Sequence, residues 1–213
     1  MDAKLMWIWL AQACGQGSRT AIHLLCAYGS PEKIYRADRK SLAKKLGERE
    51  LSLLNRLSNK DLSDATSILR RCKDTGVGIL TPDDSQYPRT LYQLRDAPIV
   101  LYYVGKLPDF ESFCCCAVVG TRTMSEYGKR ISYDIGRGLG AGGAVLVSGL
   151  ALGVDGMSMA GALVSKHPVF ILTFRTRKVN SNVTFPARGK TKGLAACVTQ
   201  AASPLGCLNS WRQ

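Results

Sequence analysis

At 213 residues, 46% hydrophobic and 21% charged, the chain has the make-up of an ordinary globular domain with a small partner, which excludes collagen-like, coiled-coil and wholly disordered architectures. No apolar run reaches the ~18–20 residues that cross a bilayer, and Leu5–Leu10 lacks the charged start and cleavage site of a secretory leader, so a cytoplasmic protein with no membrane partner is expected. Charge is the informative number: 29 Lys and Arg against 16 Asp and Glu give a net +13, the sign that attracts phosphate polyanions.

The first segment is helical. Apolar residues recur at spacings of three and four through Ala21, Leu24, Leu25, then Leu42, Leu46, then Leu51, Leu54, Leu57, then Ala65, Ile68, Leu69. Gly29-Ser30-Pro31 closes one helix and opens the next, with Ser30 as N-cap and Pro31 at the first helical position. Asp38 or Ser41, and Asp61 or Ser63, are further caps, and Gly47 and Gly76 mark helix ends. The spacing predicts a bundle of four or five short helices over residues 1–76. Small bundles of this kind also bind nucleic-acid backbones.

Residues 77–113 read as a connector. Val77–Leu80 is a short strand, Thr81-Pro82-Asp83-Asp84 is turn chemistry, and Ile99–Val104 is a second strand closed by Gly105. From Cys114 the period changes. Cys115–Val119 is a short apolar run of the buried parallel type. A helix over about Glu126–Ala141 carries Ile131, Ile135 and Leu139 on one side. Ala144–Val147 is the next strand, Gly156–Val164 a helix of small residues, and Val169–Phe174 a third strand. Strand, helix, strand, helix, strand is a Rossmann-like βαβαβ. The fold class is therefore α/β: an N-terminal small helical domain (1–76), the connector (77–113), and a partial Rossmann-like parallel-sheet domain (114–213), atypical from about residue 165.

In such a sheet ligands sit at the carboxyl ends of strands. Two glycine-bearing loops fall there. In Val119-Gly120-Thr121-Arg122, Gly120 permits close backbone approach, Thr121 offers hydroxyl and amide, and Arg122 offers a planar fork for phosphate, just before a helix N-terminus. In Ser148-Gly149-Leu150-Ala151-Leu152-Gly153-Val154-Asp155, small residues and amides line the turn, and Asp155 is a natural N-cap. Turn geometry alone would also account for the glycines, and capping alone for Asp155. Gly138-x-Gly140-x-x-Gly143 matches a dinucleotide fingerprint as text, but it follows a helix instead of a strand and reads as a helix exit. Ser148 has no GxSxG frame and no histidine to activate it, and no GxxxxGK[ST] loop occurs.

The eight cysteines show no CxxC pair and no zinc spacing, and Cys114-Cys115-Cys116 alternate faces if they lie in a strand. His23 and His167 have no ligand-spaced neighbours, so no metal site is expected. Cations are unevenly spread. No acidic residue follows Asp155, whereas Lys166, Arg175, Arg177, Lys178, Arg188, Lys190, Lys192 and Arg212 do.

The two loops, with Tyr127-Gly128, Gly161-Ala162-Leu163, Asp84-Ser85-Gln86-Tyr87-Pro88 and Ala97–Gly105, resemble the signature of the DNA-processing protein A (DprA/Smf) family. Tyr28-Gly29-Ser30-Pro31-Glu32 is similar to that family's helical head, and the likeness spans roughly residues 10–164. It implies a non-enzymatic protein that binds single-stranded DNA, protects incoming DNA in natural transformation and loads the bacterial recombinase, with a homodimeric body. It implies no catalytic residue, metal or cofactor. Carried over, Arg122 contacts a phosphate, Gly120 and Thr121 shape its pocket, and Ser148, Gly149 and Gly153 form the adjacent wall. Asp155 orders that loop, Tyr127 and Gly128 open the flanking helix, and Lys166 adds a cation. Leu152 stands where the family commonly has a basic residue, and Met159 where it has a histidine. Beyond Val164 the likeness decays, which suggests a truncated or frame-shifted end with the rest of the sheet missing and a tail that packs poorly. Two rival readings are a Rossmann-like enzyme that binds nucleotide phosphates and a remnant without function.

Overall fold

The computed structural model describes residues 2–15, 18–46, 50–149, 151–165, 169–173 and 194–199, the last two ranges as backbone only. The chain divides into two compact units, Met1–Leu101 and Tyr102–Gln213.

The first unit holds six α-helices among the described residues: α1 (Ala3–Cys14), α2 (Arg19–Tyr28), α3 (Pro31–Arg36), α4 (Arg39–Leu46), α5 (Leu51–Asn59) and α6 (Ser63–Thr75). This exceeds the four or five expected: the apolar spacings begin at Ala21, and α1 stands before them, apolar on so many sides that it shows no helical period. Local chemistry sets the breaks. The Ser30 hydroxyl accepts from the Lys33 N–H at 3.3 Å and Pro31 opens α3. Asp38 accepts from the Ser41 N–H at 2.6 Å, and Gly29 and Gly76 end α2 and α6 in the left-handed region. Gly47 lies outside the described residues.

Helix α1 is apolar on nearly every side, and Met6–Ala11 and Ala13 are all buried. A helix of that kind must be surrounded, and α2, α3, α5 and α6 pack around it. Trp9 meets Tyr35 edge to face at 5.0 Å. The connector strand β1 (Gly78–Leu80) leads into the expected turn, closed by the Asp84 N–H donating to the Thr81 carbonyl at 2.9 Å. The Trp7 indole N–H donates to Asp83 at 2.7 Å, and Lys4 pairs with Asp84.

The second unit is an α/β layer. Strands β2 (Leu101–Gly105), β3 (Cys115–Ala117), β4 (Val145–Ser148), β5 (Val169–Thr173) and β6 (Leu194–Thr199) lie in the order β2-β6-β5-β4-β3. The pairs β3–β4, β4–β5 and β5–β6 are parallel, and β2–β6 is antiparallel. Helices α7 (Glu126–Ala141) and α8 (Val154–Val164) connect the parallel strands and pack on each other and on β4. Strand β6 corrects the expectation that the sheet stops at the third parallel strand; the remaining tail expectation falls outside the described residues.

Two further expectations are corrected. Strand β3 is exposed at Cys115 and Ala117, because among the described residues it pairs only with β4 and stands at an edge. On α7 the buried face is Ser132, Gly136 and Gly140, whereas Ile135 is 48% exposed. A Cβ on Gly136 would lie 1.8 Å from the Ser158 carbonyl oxygen, and one on Gly161 would lie 2.0 Å from that of Tyr133. The helices meet backbone to backbone, which larger side chains at those positions would prevent. Gly140 joins this seam against Ala162, so it is more than a helix exit, although α7 does end at Ala141 with the Gly142 N–H capping back onto Gly138. Among the described residues no helix is long and apolar enough to cross a membrane.

Candidate nucleic-acid interface

Because β3 and β4 are parallel neighbours, the loops that follow them leave the sheet at the same end. The ladder runs past β3 through the Val118 N–H, which donates to Val147 O at 3.1 Å. Gly120 then turns the chain. Its N–H donates to the Asp155 carboxylate at 3.1 Å, and the Val154 N–H donates to the Thr121 carbonyl at 3.1 Å. The two loops are thus tied by two hydrogen bonds, one of them spanning 35 residues of sequence.

Close packing explains the small residues. A Cβ on Gly120 would sit 2.8 Å from the Val154 side chain. Gly153 has φ +95°, and a Cβ there would sit 2.0 Å from the Thr121 carbonyl oxygen. Only glycine satisfies both the left-handed backbone and that contact.

Asp155 is not the N-cap expected from its position. Gly153 holds that place without a side-chain cap, and Asp155 lies buried in the first turn of α8 with its carboxylate on Gly120. The residue that does cap α7 is Ser125, whose hydroxyl accepts from the Gly128 N–H at 3.1 Å. Sequence reading passed over it, although a serine directly before Glu126 is a start signal of the usual kind.

Arg122 is exposed, and among the described residues its guanidinium has neither a hydrogen-bond nor an ion-pair partner. Thr121 and Thr123 fold the loop beside it: the Thr121 hydroxyl donates to Thr123 O at 2.9 Å and accepts from the Thr123 N–H at 3.2 Å. The start of α7 follows, where first-turn N–H groups lack intrahelical acceptors and the helix dipole is positive. Glu126 opposes this in part, but it is solvated and lies 4.0 Å from Lys129. Tyr127 is 74% exposed, an aromatic face with no neighbour stacked on it among the described residues.

Of the other expected site residues, Gly128 sits in the first turn of α7, and Gly149 is exposed just after β4. Ser148 ends β4, buried, with its hydroxyl unpartnered among the described residues. Gly120, Thr121, Arg122, Gly153 and Asp155 form one interlocked unit. Lys166 lies outside the described residues. Among the described residues no group of three or more His, Cys, Asp or Glu is placed to hold a metal ion. The assembly is a cross-tied loop pair that carries Arg122 and leads into the first turn of α7 with its backbone N–H groups and Tyr127, a set suited to a phosphate with an adjoining base.

Over 79 residues the chain is 43% identical to Protein Smf of Synechocystis sp., a match covering 36% of this chain and 20% of that protein. It is 32% identical over 99 residues to DNA processing protein DprA of Bacillus subtilis, covering 46% of this chain and 33% of that one. The chain thus spans about a third or less of the curated relatives it matches. The X-ray structure of DNA processing protein A from Streptococcus pneumoniae shares the fold, with a TM-score of 0.68 over 94% of this chain and 69% of that one, at 21% identity. The model of the DNA recombination-mediator protein A family matches residues 78–191, more than half of the sequence and the whole of the loop pair, and the chain belongs to that family.

Proposed function

We propose that this chain binds single-stranded DNA through the paired loops, with Arg122 as the main phosphate contact, and acts as a recombination mediator. The observation that carries the reading is Arg122, exposed and without a side-chain partner among the described residues, on one of two interlocked glycine loops and three residues before the N-cap of α7. The bonds Gly120–Asp155 and Thr121–Val154 already fix the backbone that carries Arg122, so little ordering of the loops is added on binding. Tyr127, exposed in the first turn of α7, supplies a stacking surface that tolerates any base. Protection of incoming strands and loading of a bacterial recombinase belong to the same reading and rest on family membership. In it the loops position a strand and perform no covalent chemistry.

The test is Arg122→Ala, titrated with a labelled single-stranded oligonucleotide across a salt series. The variant should lose one charge-assisted contact, about 1.5–3 kcal/mol. Its log K against log salt slope should fall by about 0.7, the single-strand value per phosphate. Unchanged affinity and slope, in a variant whose circular dichroism matches the parent, would place the site elsewhere.

A further inference from the structure

Cys114, Cys115 and Cys116 play no part in the loop site, yet they stand on the exposed edge strand. The Val145 N–H donates to Cys114 O at 2.8 Å, so the extended ladder already includes Cys114, and side chains alternate from there. Cys114 and Cys116 therefore share one face, with sulfur atoms 3.9 Å apart, while Cys115 turns to the other. Cys114 is exposed and Cys116 is half-buried, so solutes reach the pair.

Geometry decides what two such thiols can do. Strand residues two apart hold Cα atoms about 6.6 Å apart with near-parallel Cβ vectors. A disulfide needs Cβ atoms within about 3.5–4.5 Å, so closing one would bend the strand away from β4. An ion between the sulfurs needs no such bend. A 3.9 Å separation is close to the sulfur–sulfur edge of a tetrahedral zinc site. Zinc requires four ligands, however, and among the described residues no third group is placed to join. Two thiolates alone suit a soft cation content with two ligands.

We propose that Cys114 and Cys116 form a two-thiolate site for a soft, thiophilic monovalent cation, Cu(I) being the physiological example. Binding replaces two S–H protons by two S–Cu bonds and releases both protons to solvent; no electron is transferred. Cys115, on the opposite face, takes no part.

The test uses the full chain, reduced and under anaerobic conditions, with Cu(I) supplied through a chromophoric chelator in competition. One equivalent should bind tightly. Cys114→Ser and Cys116→Ser should each weaken it by about 100-fold, the effect of losing one of two ligands, and Cys115→Ser by less than about threefold. A loss with Cys115→Ser equal to the other two, or parental affinity in the Cys114→Ser/Cys116→Ser double variant, overturns the proposal. A measurement without variants guards against misfolding. Alkylation of the parent chain, read by fragmenting the peptide Leu107–Arg122, should show Cu(I) protecting Cys114 and Cys116 while Cys115 stays labelled. Equal labelling with and without Cu(I), or a Cys114–Cys116 disulfide forming readily in air, rejects it.

Discussion

Asp155 holds a piece of backbone, and that is its measurable role. Its carboxylate accepts the Gly120 N–H from within a buried turn. Asp155→Ala leaves that donor without an acceptor and should cost about 1–3 kcal/mol in urea unfolding. Asp155→Asn retains an oxygen acceptor and should cost clearly less. If the two variants unfold alike, the bond does not order the loop. Oligonucleotide affinity should follow the same ranking, since Arg122 depends on that loop for its position. The sequence marked Asp155 as notable but assigned it a cap, because capping is a local pattern and its true partner lies 35 residues away. Ser30, Pro31 and Asp38 were legible for the converse reason, each acting within three residues of itself.

Helices α7 and α8 make the same point at larger scale. The bounds of α7, Glu126–Ala141, were readable from its period and terminal glycines. Its buried face was not, since Ile131, Ile135 and Leu139 form the more apolar stripe, while the helix in fact turns Ser132, Gly136 and Gly140 inward. Backbone contact between helices replaces side-chain burial there, and hydrophobic periodicity carries no trace of it. Gly136→Ala should drive a methyl into the Ser158 carbonyl and destabilise the second unit by about 3 kcal/mol or more, in the range of severe overpacking. Gly138→Ala, two residues on, meets nothing within 4 Å and should instead stabilise by about 0.5–1 kcal/mol through helix propensity. Thermal melts of the two variants moving in the same direction would contradict the seam. The edge position of β3 was equally hidden, because which strand lies outermost is a property of the assembled sheet.

Across the whole molecule the basic excess and the strand–helix alternation were visible from the start, whereas β6 became evident only through its pairing with β2 and β5. Stability should also depend on pH through one half-buried turn. Burial alone would raise the Asp84 carboxyl, but hydrogen bonds from Lys4 and Thr81, with the Lys4 charge, outweigh it and hold the carboxyl below its ordinary range. A depressed carboxyl contributes stability above its unfolded pKa and loses it as pH falls through the folded value. Asp84→Asn should therefore destabilise the chain at pH 7 by on the order of 1 kcal/mol, since solvent screens the half-exposed pair and Asn keeps an oxygen acceptor. Its deficit should shrink towards zero in acid, below the folded pKa; a deficit that is constant with pH would assign the effect to packing. A last consequence concerns synthesis. Helix α1 leaves the ribosome before the helices that cover it, and α6 is made roughly 60 residues later, an interval of about 3–12 s at ~5–20 residues per second. For that time Trp7, Ile8, Trp9 and Leu10 have no finished core to enter. The nascent chain thus displays an apolar segment uncovered over that interval, which makes it a natural client for a ribosome-bound chaperone and prone to aggregate when translation stalls before α6.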